Sequence, residues 1–212
     1  MSQQFSRPSK DEYYLGIAEK VCKRSPCIRR QYGAIIVKDD TIVSTGYNGP
    51  VRGGLNCFEV GCLKDEMNAP HGTAYEFCPA VHAEENAIIN AARSGVSVVG
   101  GTMYIYGEDR RNGKVVPAIP CDRCKRAIIN AGIKEVVIMK EDGSIEKIDV
   151  NRWIREDTWN YLKKFEEVRR KSEAEVAEKT PEGILENNIF LIEEEGILLA
   201  EIASIMNPRI KW

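Results

Sequence analysis

The sequence predicts an α/β domain, with helices layered on one sheet, followed by a helical extension. Three observations carry this. Up to residue 150 the periodicities run helix, hairpin, helix, strand, helix, strand, an order that builds layers around a single sheet. The strand runs are rich in β-branched residues and bounded by turn residues. Beyond residue 150 charge density rises, and "REDTWNYLKKFEEVRRKSEAEVAEK" (155–179) reads as one long helix. We place a boundary there, giving a core domain over 1–150 and a helical C-terminal extension over 151–212.

The elements follow in order. Residues 9–12, "SKDE", have capping-box form, with Ser9 able to accept from the N3 amide and Glu12 able to reach back. Tyr14, Leu15, Ala18, Val21 and Cys22 then fall on one helical face. "GAIIVKDDTIVSTGYNG" (33–49) is two β-rich runs around Lys38-Asp39-Asp40, a hairpin. Residues 50–79 show no sustained period and read as a long irregular loop, a length that is uncommon unless the loop is functional or pinned. A helix over about 81–93 stops at Gly95, "GTMYIY" (101–106) is a strand, and "EDRRNGKVVPAI" (108–119) is a polar excursion. "CDRCKRAIINAG" (121–132) opens another helix, and "KEVVIM" (134–139) and "SIEKIDV" (144–150) read as strands. In the extension, Thr180-Pro181 reads as N-cap and N1 of a further helix covering the apolar run 183–206.

Bulk properties exclude several classes. Formal net charge is −2, with Lys+Arg 30 against Asp+Glu 32, which argues against a broad nucleic-acid surface. No apolar run reaches the ~18 residues of a membrane span, and "MSQQFSRPSK" lacks a signal-peptide core. The expected location is therefore cytoplasmic, with no membrane partner. In that setting 7 cysteines, an odd count, point to metal ligation before disulfides.

Two helix starts carry the chemistry. In "AVHAEENAIINAA" (80–92), His82 and Glu84 open a segment whose later positions are apolar at helical spacing. In "PCDRC", Cys121 and Cys124 lie on one side of a helix start, where the helix dipole favours thiolates. His82, Cys121 and Cys124 make three metal ligands, and a catalytic zinc keeps three protein ligands with a fourth position open. Glu84 need not be a ligand and can move protons beside the ion. Taken alone, CxxC could equally be a redox pair or half of a structural zinc knuckle, and Asn48-Gly49 is simply good turn chemistry.

H-A-E followed by P-C-x-x-C is the zinc-dependent nucleobase deaminase signature. On these residues the chain resembles the cytidine deaminase superfamily, most closely the deoxycytidylate (dCMP) deaminases. "GAIIVKDDTIVSTGYNG", "HAEENAIINAARSG" with Asn86 and Arg93, and "PCDRCKRAIINAGIKEVV" extend the similarity over about residues 10–140. The resemblance implies a three-layer α/β/α sandwich with a mixed, mainly five-stranded sheet. It implies zinc-dependent hydrolytic deamination of a cytosine nucleotide, foremost dCMP to dUMP plus ammonia. His82, Cys121 and Cys124 would hold the catalytic zinc and Glu84 would shuttle protons. Asn48 would bond the nucleotide sugar, and the Ala83 backbone the pyrimidine edge. Homo-oligomers and dCTP or dTTP effectors are further family traits.

Cys57 and Cys62, then Cys78, fall in or beside the irregular loop, and Cys27 precedes the hairpin. A second, structural zinc on Cys27, Cys57, Cys62 and Cys78, with His71 as a substitute ligand, would order the loop; some deaminases resembling this chain carry an additional zinc there. Cys22 is expected in the core. Two departures from the family stand out. The segment 107–118 is inserted ahead of the Pro-Cys motif and should lie at the mouth of the site. The tyrosine that many members carry after the strand at 134–139 has no counterpart in "KEDGSI". Two rival functions stay open: deamination of another pyrimidine or nucleobase, and a zinc-stabilised assembly protein without turnover.

Overall fold

In the computed structural model, the structure describes residues 6–70 and 72–179. His71, Thr180-Pro181 and the apolar run 183–206 lie outside the described residues. The chain divides into two units, 1–156 and 157–212.

Helix α1 (Lys10–Cys22) starts at the capping box the sequence predicts. The Glu12 backbone N–H donates to Ser9 Oγ at 3.2 Å, and the Ser9 N–H donates to the Glu12 carboxylate at 2.7 Å. Strands β1 (Arg30–Lys38) and β2 (Thr41–Tyr47) form the hairpin. Its turn residues Asp39 and Asp40 sit at φ 49° and 60°. Two consecutive left-handed residues give the turn the hand that matches strand twist, and aspartate tolerates that region.

The segment 50–79 is pinched at its base by β3 (Gly49–Pro50) pairing antiparallel with β4 (Ala80–Val81). Between them lie two single-turn helices, α2 (Cys57–Val60) and α3 (Leu63–Glu66), and a 3-10 turn at Tyr75–Phe77. Helix α4 (Ala83–Arg93), strand β5 (Thr102–Asp109), helix α5 (Asp122–Asn130), strands β6 (Glu135–Met139) and β7 (Ile145–Asp149), and helix α6 (Val150–Lys179) complete the described chain. Strand β5 runs three residues past the expected 106, because its pairing with β1 continues to Arg30 opposite Asp109. The polar excursion after it folds back on β5, with Glu108 bridging Val115.

The sheet has five strands in the order β2-β1-β5-β6-β7 and is mixed: β5 and β6 are parallel and the other pairs antiparallel. Both faces are buried, which the period of two makes visible. Ala34, Ile36, Met103, Ile105, Val136 and Ile138 face one core with Ala83, Ala87 and Ile128 of α4 and α5. Ile35, Val37, Tyr104, Tyr106 and Val137 face the other with Leu15, Ala18 and Cys22 of α1. This is the three-layer α/β/α arrangement. Val150 and Trp153, at the start of α6, close the first core.

One close approach positions the chemistry. A Cβ on Gly46 of β2 would stand 2.2 Å from the Ala87 nitrogen and 2.4 Å from the Ala83 oxygen, so glycine lets α4 lie directly on the strand. Ser44 Oγ donates to the Ala87 carbonyl at 2.6 Å, Asn86 Nδ2 to the Tyr47 carbonyl at 2.8 Å, and Asn90 Nδ2 to the Thr45 carbonyl at 2.7 Å. Helix α4 is thus bonded to β2 along its length.

Candidate metal centre

The loop-to-helix junctions of α4 and α5 meet. His82 is the N-cap of α4 and Cys121 the N-cap of α5, with Cys124 in the first turn of α5. Glu85 joins the two starts: its carboxylate accepts from the His82 N–H at 3.3 Å and pairs with Arg123 at 2.7 Å. His82 Nδ1 lies 3.5 Å from Cys121 Sγ and 3.3 Å from Cys124 Sγ. A tetrahedral zinc with Zn–N near 2.0 Å and Zn–S near 2.3 Å separates its nitrogen and sulfur ligands by about 3.5 Å. The donor set and its spacing fit that ion. Among the described residues this is the single group of three or more His, Cys, Asp or Glu ligands whose donor atoms all lie within 4.8 Å of one another.

The electrostatics point the same way. The Cys121 thiol is pulled far down, to about 3, first by the hydrogen bond from Cys124 and then by His82. Cys124 is driven up by that same Cys121 sulfur and by burial. His82 is raised by its contact with Cys121, against the opposing effect of burial. Glu84, in the first turn of α4, is buried. Burial raises its carboxyl, while its own backbone amide and the His82 charge pull it down.

A cavity of about 160 Å³ opens on this centre. His82, Ala83, Glu84 and Cys121 line it together with Asn48, Tyr32, Lys64, Tyr75 and Pro117–Ile119. The inserted segment therefore reaches the site through its last residues. Ala83 and Asn48 both reach the cavity, as the sequence leads one to expect, but Asn48 is heavily engaged by the protein. Its Oδ1 accepts from Ser25 Oγ and from the Tyr32 N–H, each at 2.7 Å, and its Nδ2 donates to the Arg30 carbonyl at 3.0 Å. One N–H of the amide is left for a ligand.

Two residues of the site escape sequence reasoning. The Tyr75 ring, half exposed, has its centroid 5.8 Å from that of His82, and Ala74, just before it, takes a left-handed backbone at φ 52°. Lys64 is buried, with its amine 4.8 Å from the Tyr75 centroid. Both come from the aperiodic segment, where residue spacing carries no directional signal.

Cys27, Cys57, Cys62 and Cys78 all line one adjoining cavity of about 510 Å³. Burial pushes Cys57 up to about 11, with the charges of Cys27, Cys62 and Cys78 adding to it. No three of these sulfurs come within 4.8 Å of one another. Cys22, the last residue of α1, is fully buried in the core, as expected.

The family model for the cytidine and deoxycytidylate deaminase zinc-binding region matches residues 8–140. The chain belongs to this family. It is 38% identical over 141 residues to the deoxycytidylate deaminase of Mycobacterium phage D29, an alignment covering 64% of this chain and 98% of the phage protein. It is 37% identical over 131 residues to the Schizosaccharomyces pombe deoxycytidylate deaminase, covering 62% of this chain but only 37% of that relative's length. A crystal structure of cyanophage S-TIM5 dCMP deaminase in complex with dCMP and dUMP superposes with a TM-score of 0.47 at 31% identity, over 63% of this chain and 83% of the other. Among the described residues no helix is long and apolar enough to cross a membrane.

Proposed function

We propose that this deaminase-family chain catalyses the zinc-dependent hydrolytic deamination of a cytosine nucleotide, with dCMP and water giving dUMP and ammonia. The observation that carries the reading is the convergence of His82 Nδ1 with the Cys121 and Cys124 sulfurs, where His82, Cys121 and the buried Glu84 line one cavity. His82, Cys121 and Cys124 would hold the zinc, which when bound lowers the pKa of a coordinated water toward ~7. Glu84 takes up a proton in a setting where burial raises its carboxyl. It hands that proton to the ring N3 and later one to the departing amine at C4. The Ala83 backbone and the remaining Asn48 N–H are positioned to orient the base and sugar. A structural role for the metal has no use for a buried carboxylate beside the ligands, which disfavours a non-catalytic assembly protein. The relatives named deoxycytidylate deaminase support dCMP as substrate.

The test is ammonia release from dCMP, deoxycytidine, cytidine and cytosine, with zinc measured in parallel. Wild type should release ammonia, and Glu84→Gln should lose at least ~100-fold in rate while keeping its zinc. No release by wild type from any of the four would overturn the reading.

We also propose that Cys27, Cys57, Cys62 and Cys78 bind a second, structural zinc. Their placement around one cavity and their mutual charge interactions support this. The irregular segment would have to draw inward to bring the sulfurs to tetrahedral spacing.

A further inference from the structure

Asn48 lines the cavity, yet the groups that decide what it can offer there lie behind it. One of them is in the turn between α1 and β1. Ser25 is buried, and its Oγ accepts from the Cys27 N–H at 3.2 Å. An oxygen that accepts from an amide turns its own proton away from that amide. The two acceptors within its reach both belong to Asn48: the backbone carbonyl and Oδ1, each 2.7 Å from Ser25 Oγ. The serine proton therefore goes to Asn48. Ser25 is itself held, its N–H donating to the Cys22 carbonyl at 2.9 Å and its carbonyl accepting from Gln31 Nε2 at 2.6 Å. Beside it, Pro26 packs on Gly49, where a Cβ would stand 3.0 Å from the proline ring.

The resulting network has a polarity. With the Ser25 hydroxyl and the Tyr32 N–H both donating to Oδ1, the amide oxygen has both lone pairs occupied. Nδ2 gives one N–H to the Arg30 carbonyl and keeps one for the cavity. Asn48 thus offers a ligand a donor, and the ligand atom that meets it must accept. Tyr32 and Arg30 lie two residues apart on β1, so they grip the amide from one edge. Ser25 reaches it from a separate segment and stops the side chain from pivoting about that edge.

We infer that Ser25 is a positioning residue for sugar recognition: it holds the Asn48 amide so that the remaining N–H meets the 3′-hydroxyl oxygen of a deoxynucleotide, the one free hydroxyl on that sugar. Ser25 lies outside the lining of the cavity and acts only through Asn48. A group that must orient a ligand is placed by the hydrogen bonds behind it, and those partners matter even though they never touch the ligand. The inference rests on the deaminase reading above and deepens it.

The experiment uses the zinc-loaded full chain with Ser25→Ala and Ser25→Thr, and two ligands: the product dUMP and its 2′,3′-dideoxy analogue, which lacks the 3′-hydroxyl. Calorimetry records binding, with kcat and KM for dCMP and zinc content measured alongside. Wild type should bind dUMP about 5- to 10-fold more tightly than the dideoxy analogue, the worth of one hydrogen bond. Ser25→Ala should shrink that gap to about 2-fold or less, through weaker dUMP binding alone. It should raise KM for dCMP while kcat stays within about 2-fold. Ser25→Thr keeps the hydroxyl and should keep the gap. Four results would overturn the inference. Wild type binding both ligands alike would remove the sugar contact before any variant is made. Ser25→Ala weakening both ligands alike would show general loosening of the site. Ser25→Ala keeping the full gap, with or without loss of zinc, would leave the serine as a support of Cys27 and the turn. Ser25→Thr losing the gap as Ser25→Ala does would show that the hydroxyl is not what matters. Product binding needs no turnover, which keeps this test separate from the deaminase reading. If wild type released no ammonia but the gap closed in Ser25→Ala, deamination would fall and the positioning role would stand.

Discussion

Replacing Asn48 with alanine should damage stability first and substrate binding second. Asn48 is 7% exposed and bridges the chain before β1 to the end of β2. Its side chain satisfies the Tyr32 N–H and the Arg30 carbonyl and shares the Ser25 hydroxyl. Ser25 keeps a second acceptor in the Asn48 carbonyl, 2.7 Å from its Oγ, and that backbone contact survives the substitution. The Tyr32 N–H and the Arg30 carbonyl lose their side-chain partner. Leaving a buried polar group unsatisfied costs about 1–3 kcal/mol, so two such groups make roughly 2–5 kcal/mol, reduced where cavity water can substitute. Against a total stability of ~5–15 kcal/mol this is a large fraction. Urea unfolding followed by circular dichroism, on zinc-loaded protein, reads it as a lower midpoint at unchanged slope. Asn48→Asp separates the two polar functions: it keeps the acceptor for Tyr32 and Ser25 but sets a carboxylate oxygen against the Arg30 carbonyl, so it too should destabilise. If Asn48→Ala unfolds within ~0.5 kcal/mol of wild type while KM rises, the residue is a substrate contact and the bracing argument is wrong.

Further outcomes follow from the same geometry. Gly46→Ala forces a methyl against the Ala83 and Ala87 backbone of α4; it should cost about 3 kcal/mol or more, and by shifting His82 it should also weaken zinc affinity in a chelator competition. A Gly46→Ala protein that melts like wild type would show that α4 can move off the strand freely. Atomic absorption on purified protein should give close to two zinc per chain, and Cys57→Ser should lose one of them with Glu84-dependent turnover retained. Near one zinc per chain, unaltered by Cys57→Ser, removes the second site.

What could be read from residues alone depended on whether a local pattern pointed somewhere. Ala34 to Val37, Met103 to Tyr106 and Val136 to Ile138 alternate between two buried faces; with both faces apolar no period of two shows in the sequence, and short length, β-branched content and flanking turns mark these runs as strands instead. His82, Cys121 and Cys124 were legible because each sits at a helix start, where direction is fixed relative to a recognisable cap. Asn48 was legible as a site residue but not as a brace, since Asn-Gly carries a turn signal that hides three tertiary hydrogen bonds. Tyr75 and Lys64 were not legible at all. Their backbone runs through Ala74 at positive φ, a single-turn helix and the ladder of Gly49–Pro50 with Ala80–Val81, none of which leaves a periodic mark.

That division has a mechanical consequence for how this domain separates chemistry from selection. The metal ligands stand on helices that cannot shift without breaking regular structure: α4 is bonded to β2 through Ser44, Asn86 and Asn90 and admits no side chain at Gly46, and α5 is tied to it by Arg123 and Glu85. A site needing its donors within a few tenths of an ångström of ideal spacing is best built on such elements. Lys64 and Tyr75, by contrast, hang on a segment held at its base by a two-residue ladder and along its length by ion pairs such as Arg29 with Asp65. Changes there can alter which ligand the cavity accepts while His82, Glu84, Cys121 and Cys124 stay where they are. If the four cysteines bind a metal, that ion fixes the selecting segment rather than the reacting one. Its removal should then raise KM for the nucleotide well before it lowers kcat.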